Sequence, residues 1–422
     1  MTRFSLPYAH YSIDIDLNHG LVDQYLPLQQ TAASDPDAEI ERALQNTVDG
    51  FNLEHLVGAK TAAIAINDRT RPTPLLRIIK PLVGHLNKMG ILNQNITLLV
   101  ATGTHAPESL AEIQKLRNLL GADLNILSHN CDDTDSLTFV GETTRGTPVF
   151  INKKFIEAEI RIVTGNVEPH HFMGFSGGVK TACIGLAGRE TIRKNHSMLR
   201  MDNTGIGIVE ENPMRQDVEE MGRMAKIQFA LNTILTDDFQ IVRGFAGHPE
   251  NVYREAIALS RQLCEIEIPF LYDLVIASAG GYPKDINLYQ SQKAISHAAL
   301  FTRPGGTILL AAACTEGLGS QKYEQFMRGV HSKEEVFEKI SRTGFEIGFH
   351  KALQIALQLE KYRVILVSEL SPTITQHTLL TPAVSLEQGL DMVRPNLSPL
   401  SHIAILPFAT HLIASCIQPP AL

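Results

Sequence analysis

Short apolar runs rich in β-branched residues alternate with amphipathic stretches along this 422-residue chain. The runs predict strands at 61–66, 96–101, 159–164, 273–278, 307–312, 362–367 and 403–406. Between them, the apolar spacing at 107–120, 214–226 and 333–342 is typical of helices. This alternation is typical of parallel sheets covered by helices on both faces. We therefore predict an α/β protein made of three-layer α/β/α domains with mainly parallel sheets.

The length of the chain predicts more than one domain, since single hydrophobic cores stop growing at roughly 250–300 residues. The segment IEIPFLYD leads out of a predicted helix and into a new strand, and it places a boundary near residue 270. The predicted domains are 1–270 and 271–422. The strand at 403–406 leaves open whether the last roughly 15–20 residues return to the first domain.

Polar residues follow four of the predicted strands. The segments after them read NDRTRPTP, TGTHAPES, GNVEPHH and AGGYPKDINLYQ. In open α/β sheets, ligands bind outside the carboxyl ends of the strands, where helix N-termini also point their N–H groups. The four segments therefore predict a single site, in a cleft between the two domains.

Composition and charge limit the classes of partner that this protein can be expected to bind. The formal net charge is −8, and the lysines and arginines are scattered, which argues against nucleic acid or an anionic membrane as a partner. The five cysteines show no C-x-x-C spacing, as in proteins of a reducing compartment. The chain has neither a signal-like start nor an unbroken apolar stretch of membrane-spanning length. We expect a soluble, cytoplasmic protein that acts on a small molecule.

Residues 165–200 concentrate the candidate chemistry, and two familiar motifs fit them poorly. The sequence GFSGG at 174–178 matches the Gly-x-Ser-x-Gly pattern of serine hydrolases, which need the serine on a turn directly after a strand. Here the preceding strand ends about ten residues earlier and a proline intervenes, which weakens Ser176 as a nucleophile. A phosphate loop needs Gly-Lys-Ser/Thr, but Val179 separates Gly178 from Lys180. A simple tight turn explains the glycines and leaves Lys180 without a role.

His105, His170 and His196 lie at or near these loops. Each of them, taken alone, is more often structural than a ligand or an acid/base group. On one continuous helix, Lys180 and His196 would lie on nearly opposite sides. Two glycines between them interrupt the helix, so a shared site remains open.

Several separated motifs together resemble the nickel-pincer lactate racemase (LarA-type) family. They are NDRTRP at 67–72, ATGTH at 101–105, the PHH, GFSGG, lysine and histidine series at 169–196, and YPKDINLYQSQKA at 282–294. They span most of the chain in the order that the family shows. The resemblance implies a racemase or epimerase that transfers a hydride reversibly from the α-carbon of a 2-hydroxy acid to a lysine-bound nickel-pincer nucleotide. That cofactor is a pyridinium-3,5-dithiocarboxylate-type mononucleotide, made by maturation enzymes that would be partners of this protein.

The resemblance also assigns roles to residues. Lys180 would hold the cofactor covalently in the N-terminal domain and His196 would bind nickel, while His105 and His170 would form the acid/base pair, with His171 as the alternative to His170. Arg71, Gln290 and Lys293 would bind the substrate. The other residues expected around the cofactor are Asp68, Thr102, Gly103, Thr104, Ser176, Gly177 and Gly178.

The chemistry of these residue types suits the roles. An imidazole with a pKa near 6.5 can take and return a hydroxyl proton at neutral pH. A guanidinium binds a carboxylate through two hydrogen bonds, and imidazole with sulfur donors is a ligand set that Ni(II) accepts.

The chain departs from the characterised lactate racemases in having no tryptophan, which those enzymes place beside the metal. We expect residues 368–378 to supply a different pocket wall and the substrate to be another 2-hydroxy acid. Two alternatives remain. A serine or metal-dependent hydrolase would use Ser176 or the histidines, but the strand-to-helix elbow is missing. A non-catalytic binding protein of this fold would be expected to have lost at least one of the site residues.

Overall fold

The computed structural model describes residues 2–18, 20–71, 73–120, 123–343 and 349–416. Its strands are β1 (Thr2–Tyr8), β2 (Tyr11–Leu17), β3 (Leu21–Gln24), β4 (Ala62–Asn67), β5 (Ile96–Ala101), β6 (Asn125–Ser128), β7 (Leu137–Glu142), β8 (Pro148–Asn152), β9 (Ile160–Asn166), β10 (Pro169–His170), β11 (Met173–Phe175), β12 (Gly205–Ile206), β13 (Phe229–Leu235), β14 (Ile241–Gly247), β15 (Glu265–Ile268), β16 (Tyr272–Ser278), β17 (Thr302–Ala311), β18 (Arg363–Val367), β19 (Thr381–Ala383), β20 (His402–Leu406) and β21 (Ile413–Cys416). Its α-helices are α1 (Pro36–Gln45), α2 (Leu75–Lys88), α3 (Leu110–Leu120), α4 (Lys153–Glu157), α5 (Lys180–Cys183), α6 (Arg189–Ser197), α7 (Pro213–Met224), α8 (Pro249–Cys264), α9 (Leu288–Ala298), α10 (Gln321–Met327), α11 (Lys333–Thr343), α12 (His350–Leu359), α13 (Pro372–Gln376) and α14 (Leu386–Val393).

The chain forms two compact units. The central unit is Gln29–Leu263, and the terminal unit combines Met1–Leu28 with Cys264–Leu422. These units differ from the predicted domains 1–270 and 271–422 because the N-terminal residues join the C-terminal part. The cause is pairing and packing: β3 extends the sheet beside β20, and the β1–β2 hairpin buries Leu6 and Ile15 against the core of that sheet.

The central unit contains a six-stranded sheet in the order β14-β13-β9-β4-β5-β6. All neighbouring strands in it are parallel except β13 and β14. The sequence AAIAIN of β4 is buried throughout, as expected for a strand inside a sheet with both faces covered. One face packs against α1, α2 and α3, and α2 contributes Ile78, Ile79 and Leu82 to that core.

The terminal unit contains a fully parallel six-stranded sheet in the order β19-β18-β17-β16-β20-β3. The β1–β2 hairpin and α14 pack on its core, to which Leu274, Leu309 and Ile365 belong. Helix α9 contacts β16 and β17, and α12 packs on α9. β20 pairs with β16 inside this sheet, so the residues after 402 stay in the terminal unit as far as residue 416. The sequence left open whether the last residues return to the first predicted domain. The final part of that segment, residues 417–422, lies outside the described residues.

The predicted α/β architecture with mainly parallel sheets is confirmed. The seven predicted strands correspond to β4, β5, β9, β16, β17, β18 and β20, and the three predicted helices to α3, α7 and α11. β17 begins at Thr302, before the predicted start at 307, and its pairing with β16 is irregular there. Within the described residues, no helix is long and apolar enough to cross a membrane.

Candidate functional site

Three neighbouring strands of the central sheet place candidate side chains at one edge. β4 lies between β9 and β5, and all three strands are parallel. Asp68 directly follows β4, His105 lies in the turn after β5, and His170 follows β9. Because the carboxyl ends of parallel strands lie at one edge of a sheet, the fold gathers the three loops that the sequence singled out.

Asp68 and His105 form a short contact across two of these loops. Asp68 Oδ2 lies 2.6 Å from His105 Nδ1, and Asp68 Oδ1 accepts a hydrogen bond from Thr70 Oγ1 at 2.7 Å. The Asp68 side chain is buried, whereas that of His105 is 56% exposed. Burial acts to raise the pKa of Asp68, but the hydrogen bonds from His105 and Thr70 hold it below its usual value. The ionised carboxylate therefore orients the His105 ring and leaves Nε2 to face other groups.

Lys180 and His170 form the second close pair. Lys180 Nζ and His170 Nε2 share a hydrogen bond of 2.8 Å, and both side chains are buried. The N–H of Met173 donates to His170 Nδ1 at 3.3 Å, which orients the ring toward the lysine. The His171 ring stacks on that of His170, with centroids 4.6 Å apart. The His170 ring therefore contacts the amine directly.

The surroundings of Lys180 favour its neutral form. Burial lowers the pKa of Lys180 well below its ordinary value, and the positive charges of Arg71 and Arg215 lower it further, while Glu168 opposes them. A lysine amine that is neutral near pH 7 is nucleophilic, which an ordinary surface lysine is not.

His196 approaches the same region from α6. Helices α5 and α6 are separate, with Lys180 opening the first and His196 near the end of the second. The Phe172 ring lies 5.2 Å from the His196 ring, centroid to centroid, and Lys180 Nζ lies 6.0 Å from the Phe172 centroid. Burial is the main cause that lowers the pKa of His196, to about 4. A neutral imidazole of this kind is a competent ligand for a transition metal.

The glycine loop before Lys180 is fixed by buried polar side chains. Gly178 N–H donates to Asn232 Oδ1 at 2.7 Å, and Arg215 Nη1 donates to the Gly177 carbonyl at 3.2 Å. Arg215 is 1% exposed and stacks over the Tyr253 ring at 3.4 Å. A Cβ on Gly177 would lie 2.6 Å from Val167 Cγ2, and one on Gly178 would lie 2.6 Å from Arg215 Nη2. The protein's own packing therefore requires both glycines.

Ser176 closes this loop. Its hydroxyl donates to the Asn166 carbonyl at 2.8 Å and accepts from the Glu168 N–H at 3.1 Å. The side chain is 3% exposed. The hydroxyl is thus occupied by two backbone partners, which suits a structural group better than a nucleophile.

The remaining predicted site residues of the central unit are Thr102, Gly103, Thr104 and Arg71, and they differ in burial. Thr102 Oγ1 donates to the His129 carbonyl at 2.9 Å, and Gly103 N–H donates to the Gly185 carbonyl at 2.8 Å. Both residues are buried, whereas Thr104 is half-buried and Arg71 is exposed. Thr102 and Gly103 thus brace the turn that presents His105.

Gln290 and Lys293 lie in the terminal unit, on α9. Lys293 Nζ donates to Gln290 Oε1 at 3.0 Å, so the two side chains share one patch of the helix. Residues 368–372, in the segment predicted as a pocket wall, line a cavity of about 750 Å³ in the same unit. Tyr8, Asp14 and Glu387 also line this cavity.

Sequence reasoning missed the residues that support the loop. Phe172 separates Lys180 from His196, and Arg215, Asn232 and Tyr253 hold the glycines. Arg215 follows a helix N-cap, Asn212, whose side chain accepts from two N–H groups. An Asn-Pro pair predicts that helix start, but no local motif shows that the arginine turns inward.

The described residues contain no group of three or more histidine, cysteine or acidic side chains arranged to hold a metal ion. The donor set at the site is one buried neutral imidazole, His196, near a buried amine, Lys180. Such a set fits a metal that takes most of its ligands from an organic group attached to the lysine.

The fold and the site define a two-unit α/β enzyme with histidines and a buried lysine at the strand ends of one sheet. Two family models match: the lactate racemase N-terminal domain over residues 8–207 and the lactate racemase C-terminal domain over residues 269–413. The chain belongs to the lactate racemase family, whose named members are isomerases.

Relatives and solved structures agree with this assignment. The lactate racemase of Thermoanaerobacterium thermosaccharolyticum is 28% identical, and the match covers 96% of this chain and 98% of that protein. The lactate racemase of Lactiplantibacillus plantarum is 29% identical over 87% of this chain and 88% of that protein. The structure of the T. thermosaccharolyticum lactate racemase apoprotein matches with a TM-score of 0.86 at 27% identity, covering 98% of this chain and 100% of that one. A Thermotoga maritima protein shares the fold with a TM-score of 0.64 at 18% identity, over 93% and 100% of the two chains.

Proposed function

We propose that this protein racemises or epimerises a 2-hydroxy acid with a nickel-pincer nucleotide attached to Lys180. The observation that carries the proposal is the buried pair of Lys180 and His170, 2.8 Å apart, at the same sheet edge as the Asp68–His105 pair. A neutral, buried amine suits covalent attachment of the cofactor, and His196 suits the single protein ligand to nickel. When bound, the cofactor supplies a nickel centre and an acceptor for the hydride of the substrate α-carbon.

The chain's own residues handle the proton and the carboxylate. His105 and His170 take and return the proton of the substrate hydroxyl through Nε2, one for each stereoisomer. Asp68 orients the His105 ring through Nδ1 and so leaves Nε2 for the substrate. Arg71 binds the substrate carboxylate, and Gln290 and Lys293 are assigned to the carboxylate and the neighbouring oxygen. Thr102, Gly103, Thr104, Ser176, Gly177 and Gly178 shape the surroundings of the cofactor.

The relatives named lactate racemase make lactate the first substrate to test. This chain has no tryptophan, so the wall beside the cofactor must be built from other side chains than in the characterised lactate racemases. We therefore expect a larger hydroxylated 2-hydroxy acid to be turned over better than lactate.

The test begins with protein purified from cells that co-express the cofactor-making enzymes. Single enantiomers or epimers of 2-hydroxy acids, from lactate to sugar acids, are incubated with it and followed by chiral chromatography. We expect loss of stereochemical purity for at least one acid, and loss of that activity in both His105→Ala and His170→Ala. Full activity in either variant would remove that histidine from the pair.

The serine hydrolase alternative is separated by one more variant. Ser176→Ala keeps some racemising activity under the proposal, because the hydroxyl only braces the loop. Hydrolysis of an ester or amide that Ser176→Ala abolishes and His105→Ala leaves intact would favour the hydrolase instead.

A further inference from the structure

The terminal unit contains a buried lysine to which the proposed chemistry assigns no role. Lys351 lies on the first turn of α12 and is 3% exposed. It forms no ion pair with any carboxylate of the described residues. Burial, together with the charge of Lys293, lowers the pKa of Lys351 well below its ordinary value.

Lys351 contacts α9, the helix that carries Gln290 and Lys293. Its Nζ donates to Gln292 Oε1 at 3.0 Å and lies 4.9 Å from the centroid of the Tyr289 ring. Residues 289, 292 and 293 share one side of a helix, because positions three and four apart are neighbours there. Lys351 therefore contacts α9 at one residue before Gln290, Tyr289, and at one residue after it, Gln292.

Two further hydrogen bonds lie beside the contacts of Lys351 with α9. His350 Nε2 lies 3.4 Å from the Tyr289 hydroxyl, and Gln292 Nε2 donates to Ser296 Oγ at 3.2 Å. The start of α12, together with the packing of α9 on β16 and β17, thus sets the rotation of α9 about its own axis. Gln290 and Lys293 are joined by a 3.0 Å hydrogen bond. The rotation of α9 determines the direction in which their polar atoms point.

Stability alone does not explain a lysine at this position. Burying an ammonium or amine with a single neutral acceptor is unfavourable, and an apolar side chain of similar length would pack the same space at lower cost. Methionine has that length and flexibility. The contact is therefore better explained by what it does to α9.

We propose that Lys351 is a positioning residue for the Gln290–Lys293 pair and so sets the affinity of the enzyme for the carboxylate of its 2-hydroxy acid. The role rests on the proposed function. A residue that acts on ground-state binding and not on the reacting atoms raises KM and leaves kcat nearly unchanged.

The experiment measures KM, kcat and the thermal midpoint of Lys351→Met in the cofactor-loaded enzyme, with the best 2-hydroxy acid as substrate. We expect KM to rise about tenfold, kcat to stay within about twofold, and the midpoint to stay equal or rise. Lys351→Arg, which keeps a donor for Gln292 Oε1, should recover part of the affinity.

Lys339→Met is the matched control. Lys339 Nζ also lies 4.9 Å from an aromatic centroid, that of Phe326, and it donates to the Arg328 carbonyl at 3.2 Å. This change should lower the midpoint and leave KM unaltered.

An unchanged KM in Lys351→Met would overturn the positioning role, as would a fall in kcat in step with a lower midpoint. Wild-type protein that carries the Lys180 adduct and turns over no 2-hydroxy acid would overturn the proposed function, and the role of Lys351 with it.

Discussion

Two adjacent glycines shape the loop that leads into Lys180. Gly177 has φ of +79° and Gly178 has φ of +61°, a backbone region that other residues adopt only under strain. At both positions an added Cβ would also meet protein atoms at 2.6 Å. At Gly178 that atom belongs to Arg215, whose stack on Tyr253 leaves it little room to move. The placement of Lys180 thus depends on a backbone that only glycine allows.

Substituting Gly178 with alanine tests this dependence against a matched glycine. Gly50 has φ of +74°, and an added Cβ there has nothing within 4 Å, so Gly50→Ala reports backbone strain alone. We expect Gly50→Ala to lower the free energy of unfolding by about 1 kcal/mol and Gly178→Ala by about 3 kcal/mol or more. Urea denaturation measures both losses. Equal losses would show that the loop can shift Arg215 aside.

At the scale of elements, a buried carboxylate ties α7 to the parts that hold His196. Asp217 is 0% exposed, and its Oδ1 accepts from Thr143 Oγ1 at 2.6 Å. Its Oδ2 accepts from Thr147 Oγ1 at 3.0 Å and from Asn195 Nδ2 at 2.8 Å. Asn195 directly precedes His196 on α6. One side chain therefore joins α7, α6 and the β7–β8 hairpin.

Removing that carboxylate should be costly. Asp217→Ala leaves three buried donors without their acceptor, and we expect a loss of about 3–5 kcal/mol in the free energy of unfolding. The control is Glu220→Ala on the same helix, whose half-buried carboxylate accepts from Thr144 and should contribute about 0.5 kcal/mol. Chemical denaturation of both variants checks the difference. A loss below 1 kcal/mol for Asp217→Ala would mean that water replaces the carboxylate.

The elements around the site could be predicted, but the supports behind them could not. Strands such as β4 and β5 are short apolar runs that end at polar loops, so their place at one sheet edge follows from the pattern. The β1–β2 hairpin was not predicted, because its apolar residues pack on strands β16, β17 and β18, which lie more than 250 residues later in the chain. Arg215 and Asn232 were missed for the same reason, since their contacts with the glycine loop are long-range.

At the scale of the whole molecule, a buried neutral histidine predicts how folding depends on pH. His297 is 3% exposed, and its Nδ1 lies 2.8 Å from the Leu412 carbonyl. Burial lowers the pKa of His297 to about 4, although the hydrogen bond opposes the shift. In the unfolded chain the pKa of histidine is about 6.5. As the pH falls from 7 toward 4, the unfolded state binds a proton that the folded state does not, so stability is lost over that range.

The share due to His297 can be isolated by substitution. When the pH falls from 7 to 5, the shifted pKa of His297 should lower the unfolding free energy of the wild-type protein by about 2 kcal/mol. His297→Asn, which keeps an N–H donor for Leu412, should show a pH loss smaller by that amount. His331→Asn, at an exposed ring, should leave the pH loss unchanged. Identical pH profiles for wild type and His297→Asn would contradict the buried neutral state.

The most direct test of the central claim is the intact mass and nickel content of the protein after co-expression with the cofactor-making enzymes. The account predicts a mass increase equal to the nucleotide, mapped by peptide sequencing to Lys180, with one nickel per adduct. Lys180→Ala should carry neither, and His196→Ala should keep the adduct and lose nickel. A family member expressed under the same conditions is the positive control. If that control is fully modified and the wild-type protein is not, the result would contradict the account.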